Sequence, residues 1–157
     1  MLNYQVTKEH VWVGALPDRP GALAEALQAL SLGGLNLELI FTQRDVPGRA
    51  LLFVSPLRTI EEVRIAERAG LSRNNSLRTI RIEGPNIRGL AWQITRALAD
   101  ADIGIATYTA AAMGGFHVTN IVLEHDAEVD AAKRVLDQAL RKLTQGESPS
   151  GEPLIEE

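Results

Sequence analysis

The chain of 157 residues contains no cysteine. This absence excludes disulfide bonds, thiolate catalysis and metal sites that use cysteine. The three histidines, His10, His117 and His125, do not share a spacing typical of metal ligands, so we expect no metal site. No nucleophile elbow, phosphate-binding loop or dinucleotide fingerprint occurs, and we expect neither a catalytic residue nor a cofactor. These absences predict a protein that is not an enzyme.

Aromatic residues and positive charge are also scarce. Aromatic side chains make up 4% of the chain, and the formal net charge is −4. A nucleic-acid surface needs a concentrated positive field, and RNA-binding sheets stack bases on aromatic side chains. The composition therefore predicts no nucleic-acid partner.

Long apolar runs are missing as well. No segment approaches the roughly 18 consecutive apolar residues of a membrane-spanning helix. Lys8 and Glu9 stand where a signal peptide would have its apolar centre. We therefore expect a soluble, cytoplasmic protein that has no membrane partner.

What the sequence does contain is an internal repeat. The stretches LPDRPGALAEALQAL, at 16–30, and EGPNIRGLAWQITRAL, at 83–98, have the same form. An offset of 68 residues relates Pro17 to Pro85 and Gly21 to Gly89. Identities are few, so the repeat is recognised by the order of its elements.

Each half of the chain predicts the order β-α-β-β-α. Apolar alternation and helical spacing place the elements, and Thr59 with Glu62 forms a capping box ahead of one helix. In the first half, the pattern predicts strands over 6–16, 35–43 and 50–56 and helices over 20–30 and 59–70. In the second half, it predicts strands over 77–83, 103–109 and 116–124 and helices over 90–101 and 128–143.

A split β-α-β fold needs a fourth strand in each unit. The segment LSRNNS at 71–76 is too polar for a central strand, and the other candidate is PLIEE at 153–157. We predict two units, 1–72 and 73–145, that share or exchange edge strands, followed by a flexible tail at 146–157.

The repeated turn joins a strand tightly to a helix. Gly21 and Gly89 can adopt backbone angles that other residues resist, and they let a ligand approach the main chain. The first amides of the following helix point outward as donors for an anion such as a carboxylate. The turn is therefore the candidate binding site.

The segment DRPGALAEALQALSLGGLNLELI resembles the opening of an ACT domain, a small-molecule-binding regulatory module of enzymes of amino-acid metabolism. The segment LRTIRIEGPNIRGLAWQITRALADADIGIATYTAAAMGG resembles a second one, and the resemblance covers about residues 5–144. The second turn departs from the family pattern, because Asn86 stands for the aspartate, Ile87 follows it, and Arg88 stands for the proline.

The resemblance implies an α+β, ferredoxin-like βαββαβ fold in two tandem ACT-like units. It also implies side-by-side association of two sheets, hence a homodimer, and an amino acid or similar small carboxylate held at the interface. A partner enzyme of amino-acid biosynthesis is a further implication. Carried onto this sequence, the ligand-binding candidates are Asp18, Arg19, Gly21, Ala22, Leu23 and Asn36 at the first turn, and Asn86, Arg88, Gly89 and Leu90 at the second.

Other interpretations stay open for these residues. Asp18 is equally suited to cap the helix, Arg19 to be a solvated charge, and the glycines to serve the turn alone. Arg88 and Asn86 are the residue types that a ferredoxin-like acylphosphatase uses, although their surroundings do not resemble that family's loop. The alternatives to an amino-acid sensor are therefore such an enzyme, or an interaction module without a ligand.

Overall fold

The computed structural model describes residues 3–145, except for the side chains of residues 73–77. The chain divides into two compact units. The first unit is Glu9–Arg78, and the second combines the described residues up to Lys8 with those from Thr79 onward. Strand β1, Gln5–Pro17, and strand β4, Leu71–Pro85, each contribute residues to both units. The predicted sharing of strands between two ferredoxin-like units is confirmed.

The first unit is a complete βαββαβ fold. Its strand order is β2-β3-β1-β4, and β3 is antiparallel to both β1 and β2. The elements that follow β1 are α1, Ala22–Leu32; β2, Leu39–Val46; β3, Arg49–Ser55; and α2, Ile60–Arg68.

The second unit repeats this arrangement with the order β1-β4-β6-β5, and β6 is antiparallel to β4 and β5. The elements that follow β4 are α3, Leu90–Asp100; β5, Ile105–Met113; β6, Phe116–Leu123; a single 3-10 turn, Asp126–Glu128; and α4, Val129–Thr144.

The fourth strand of each unit is one end of a long strand whose other end belongs to the other unit. Residues Leu71–Arg78 of β4 complete the first unit, and residues Gln5–Lys8 of β1 complete the second. The polarity of 71–76 had argued against a strand, and this argument was wrong. An outermost strand needs backbone partners on only one side, so it tolerates polar side chains. The other candidate, 153–157, lies outside the described residues.

Each unit buries its own core between helices and sheet. In the first unit, Trp12, Leu30 and Val54 are the centre of this core. In the second unit, α3 and α4 cover the sheet with a larger apolar set. The buried residues of this set include Ile80, Ile82, Leu90, Ile94, Leu98, Ile121 and Leu136.

The local signals of the sequence place the helices and hairpins well. The capping box of α2 is present: Thr59 Oγ1 accepts from the amide of Glu62, and Glu62 Oε2 accepts from the amide of Thr59. Strand β2 begins at Leu39 rather than at Leu35. Its partner β3 ends at Ser55, whose carbonyl accepts from the amide of Glu38, so the residues before Glu38 have no strand to pair with.

Candidate functional site

The first turn has the left-handed backbone that its glycine was expected to supply. Gly21 has φ 88° and ψ −20° and caps α1 without any side-chain hydrogen bond. The Ala22 amide donates to the carbonyl of Arg19 at 3.3 Å, and the Glu25 amide to the carbonyl of Gly21 at 2.9 Å. The first turn of α1 therefore has no capping side chain.

The two charged residues of the first turn are bound by neighbouring side chains. Asp18 Oδ2 lies 2.9 Å from Arg44 Nε, on β2. Arg19 forms a two-pronged ion pair with Glu25, with nitrogen-to-oxygen distances of 3.0 and 2.7 Å. This hydrogen-bonded pair raises the pKa of Arg19 and lowers the pKa of Glu25. Asp18 thus does not cap α1, and both charges have a partner within the unit.

The other first-turn candidates occupy contrasting positions. Ala22 is buried, whereas Leu23 is 37% exposed. Asn36 is exposed in the loop before β2, at the opposite end of the sheet from the turn. In the sheet, Pro17 pairs with Arg49 at the start of β3, and Leu39 pairs with Ser55, six residues farther along the same strand. These six residues span about 20 Å, so Asn36 and the turn of one unit do not meet around one small ligand.

The second turn has the same backbone form despite its imperfect motif. Gly89 has φ 79° and ψ 3° and caps α3 without a side-chain hydrogen bond. The Leu90 amide donates to the carbonyl of Ile87 at 3.3 Å, and the Gln93 amide to the carbonyl of Gly89 at 3.0 Å. No acidic residue lies in the first turn of α3. The positive end of this helix dipole is therefore not neutralised locally.

Arg88 is the distinctive side chain of the second turn. It is exposed and has no ion pair or hydrogen bond with any residue that the structure describes. Asn86 is also exposed, two residues earlier. Leu90 is 2% exposed and belongs to the core, so its side chain anchors the turn. The second turn thus presents a guanidinium group, a side-chain amide and the amino end of a helix.

Both turns are tied to a neighbouring hairpin by one backbone hydrogen bond. The Asp18 amide donates to the carbonyl of Gly48, between β2 and β3, at 3.0 Å. The Asn86 amide donates to the carbonyl of Gly115, between β5 and β6, at 2.8 Å. In each unit, the candidate site is thereby connected to the hairpin that contains an outermost strand.

Sequence reasoning missed the partners of the first-turn charges. Glu25 carried a usable signal, because it lies one helical turn after Gly21 and an acidic residue there favours a nearby cation. Arg44 carried no local signal, because its contact with Asp18 depends on the pairing of β2 with β3.

Two clefts of the molecule lie away from both turns. A cleft of about 310 Å³ in the first unit is lined by residues of β1 and α2, including Trp12 and Val63. A cleft of about 260 Å³ in the second unit lies between the start of β1 and α4, beside Tyr4 and Leu140. Neither cleft is lined by a predicted ligand-binding residue.

The described part of the chain contains neither a cluster of metal ligands nor a membrane-spanning helix. Among these residues, no three histidine, aspartate or glutamate side chains come together as metal ligands would. None of the helices placed by the structure is both long enough and apolar enough to span a membrane.

The two βαββαβ units with their glycine turns have the ACT-type fold that the sequence resemblance predicted. The regulatory subunit of aspartate kinase from Thermus thermophilus, in its ligand-free form, shares this fold with a TM-score of 0.59 and 18% identity; the match covers 87% of this chain and 95% of that one. A protein from Bacteroides thetaiotaomicron matches with a TM-score of 0.70 and 15% identity, over 85% and 89% of the two chains.

A longer enzyme contains the same fold as part of its chain. Aspartate kinase from Clostridium acetobutylicum matches with a TM-score of 0.59 and 12% identity, over 90% of this chain and 35% of that one. No protein-family model and no curated protein matches the sequence. At these identities, the likeness establishes the fold alone, because one fold can support many functions.

Proposed function

We propose that this protein is a non-catalytic regulator that binds an amino acid at a strand-to-helix turn and thereby changes its self-association or the activity of a partner enzyme of amino-acid metabolism. The shared fold with regulatory subunits of aspartate kinase supports this class of function. The proposed binding site rests on one observation: Arg88 is a cation without a partner in the described residues, and it lies next to the uncapped amino end of α3.

The second turn has the groups that an α-amino acid requires. A carboxylate is attracted by the guanidinium group of Arg88 and by the amides at the start of α3. The side-chain oxygen of Asn86 can accept a hydrogen bond from the ligand's ammonium group. An α-amino acid brings both groups on one carbon atom, so it fits a site with a cation and an acceptor two residues apart.

The first turn is proposed as a weaker site. A ligand carboxylate would compete with Glu25 for Arg19, and a ligand ammonium group would compete with Arg44 for Asp18. Breaking either pair costs free energy that the ligand must offset. Asn36 contributes to this site only if a second chain brings it to the turn, because the two lie at opposite ends of one unit.

The backbone hydrogen bond between the turn and its hairpin can link ligand binding to self-association of the chain. The Asn86 amide is bonded to Gly115, at the end of the hairpin that contains the outermost strand β5. A ligand that reorganises this turn therefore acts on the geometry of an exposed sheet edge. The ligand can shift the association equilibrium only by as much as its affinities for the free and the associated chain differ.

Thermal unfolding in the presence of each of the twenty amino acids tests the proposal. A ligand at 100 times its dissociation constant stabilises the folded protein by about 2.7 kcal/mol. The variant Arg88→Gln should weaken binding about tenfold, since it removes a charged hydrogen bond. Arg96→Gln is the matched control, because Arg96 is an exposed cation on the same helix, is paired with Asp100, and lies away from the turn.

The outcomes separate the candidate functions. Stabilisation by one amino acid that Arg88→Gln reduces and Arg96→Gln preserves supports the proposal. Stabilisation by inorganic phosphate or an acyl phosphate alone would favour the acylphosphatase-type enzyme, for which Asn86 and Arg88 are also suitable residue types. No stabilisation by any amino acid would reject the sensor and leave an interaction module. The cytoplasmic location expected from the sequence stays a prediction.

A further inference from the structure

A cleft in the first unit is lined by groups that the proposed function does not use. The cleft has a volume of about 310 Å³ and lies between β1 and the start of α2. All of its lining residues belong to the first unit. Its volume is at the lower end of the range for pockets that bind small molecules.

Trp12 is the most buried of the residues that line this cleft. It is 5% exposed and packs in the core of the first unit. Its indole Nε1 has no hydrogen-bond partner in the described part of the chain, and solvent reaches this atom. An indole nitrogen can only donate, and a buried tryptophan usually has an acceptor for it. A nearly buried donor is therefore available to an acceptor of a molecule bound in the cleft.

Other polar groups at the cleft are also donors. Arg58 donates to the carboxylate of Glu38 through Nη2, which leaves the other N–H groups of its guanidinium. Thr59 Oγ1 accepts from the amide of Glu62, so its hydroxyl hydrogen stays available. The first amide of α2, that of Ile60, has no partner in the described residues. None of the described residues that line the cleft carries a carboxylate.

Apolar side chains form further walls of the cleft. Leu57 and Val63 are partly buried against the same core as Trp12, and Ile60 is 68% exposed. A molecule bound here would cover apolar surface of these side chains, and this burial would stabilise the complex. The cleft thus combines a set of donors with an apolar wall.

The central donor of the cleft is specific to the first unit. Ile80 lies 68 residues after Trp12, at the equivalent position of the repeat, and it is fully buried and has no polar side-chain atom. The glycine turn of the first unit, in contrast, has both of its charges bound internally. A ligand of the first unit therefore finds unpaired donors in the cleft rather than at the turn.

We propose that this cleft binds a small carboxylic acid with an apolar body, at a site separate from both glycine turns. A carboxylate has only acceptor oxygens, which match a set of donors, and an ionised acceptor makes stronger hydrogen bonds. The apolar body packs against Leu57, Ile60 and Val63. Because Glu38 already shares the charge of Arg58 and this ion pair is half-exposed, we expect a dissociation constant on the order of 1 mM.

Two-dimensional NMR of the full chain tests this site through its tryptophans. The chain contains two, so its proton–nitrogen spectrum has two indole signals, and Trp92→Phe assigns them. Isovalerate and benzoate are the probes, and each should shift the Trp12 signal until the site is saturated. Isovaleramide and benzamide have nearly the same shapes without the charge. They should bind about tenfold more weakly, since hydrogen bonds to a charged acceptor are stronger.

Two matched variants place a carboxylate at different exposed apolar positions of the first unit. Ile60→Asp adds it beside the cleft, at the start of α2, where an acidic residue favours the helix dipole and the fold is retained. It should raise the dissociation constant of isovalerate about tenfold, because like charges repel. Val46→Asp adds the same charge next to Arg49, about 20 Å along β3 from Ser55, and should leave the constant unchanged. Circular dichroism checks that both variants remain folded.

Several results would overturn the inference. A Trp12 signal that neither carboxylate shifts excludes binding in the cleft. Equal affinities for isovalerate and isovaleramide would show that the donors do not recognise a carboxylate, and equal weakening by Ile60→Asp and Val46→Asp would reduce the effect to net charge. Loss of the Trp12 shift in Arg88→Gln would assign the binding to the second turn. These outcomes do not depend on amino-acid binding at that turn, so the inference and the proposed function can fail separately.

Discussion

Replacement of Gly89 by alanine should destabilise the protein through backbone strain alone. Gly89 has φ 79°, and a Cβ atom added there would meet no atom within 4 Å. The variant therefore introduces no clash, and its cost is that of a left-handed conformation for alanine, about 1–2 kcal/mol. Gly89→Asn should cost less than Gly89→Ala, because asparagine tolerates this region better.

Gly115 supplies the control for this experiment. It lies in the hairpin bonded to the same turn, has open space around an added Cβ, and is absent from the glycines of positive φ. Gly115→Ala should therefore be neutral or stabilising by about 0.4–1 kcal/mol, since it restricts the unfolded chain.

Urea unfolding measures the difference between the two variants, provided that the slope with denaturant is unchanged. We expect a separation of about 2 kcal/mol, equivalent to roughly 4–8 °C in Tm for a chain of this size. Equal midpoints for Gly89→Ala and Gly115→Ala would refute the reasoning, because the two changes differ only in the backbone angle at the substituted residue.

Three further perturbations follow from the packing. Thr59→Ala removes the capping hydrogen bond of α2 and should cost about 1 kcal/mol, measured by urea unfolding; a loss matched by Thr59→Ser would contradict this reason. Gly84→Ala should lower Tm, because its Cβ would lie 2.5 Å from Tyr4 Cδ1, and the additional change Tyr4→Ala should recover part of the loss. Burial lowers the pKa of His117 below its unfolded value of about 6.5. Between these two pKa values the unfolded chain binds a proton that the folded chain does not, so the free energy of unfolding should fall as pH falls through this window. His117→Gln should remove this dependence of the free energy of unfolding on pH. An unchanged dependence in the variant would exclude His117 as its source.

A test of the ligand site also bears on the relation between the two turns. The better sequence match, at Asp18 to Gly21, has its charges bound internally, whereas the degenerate match leaves Arg88 without a partner. If the proposal is correct, Arg88→Gln reduces binding more than Arg19→Gln does. In that case, the turn that matches the family motif better is not the turn that binds the ligand more tightly.

The sequence alone determined the local structure of this protein. Helical spacing and alternation placed the helices and hairpins, and the glycines of both turns have the left-handed backbone that was expected. The capping box at Thr59 was also predicted correctly. Each of these features depends on residues within a few positions of one another, so a short segment of sequence is enough to predict it.

The tertiary structure alone decided the features that join distant parts of the chain. It assigned residues 71–78 and Gln5–Lys8 as fourth strands, since an edge strand is defined by its partner and tolerates polar side chains. It paired Arg44 with Asp18 and separated Asn36 from the turn. These outcomes depend on strand order and register, and contacts between residues far apart in the chain leave no periodic pattern in a single sequence.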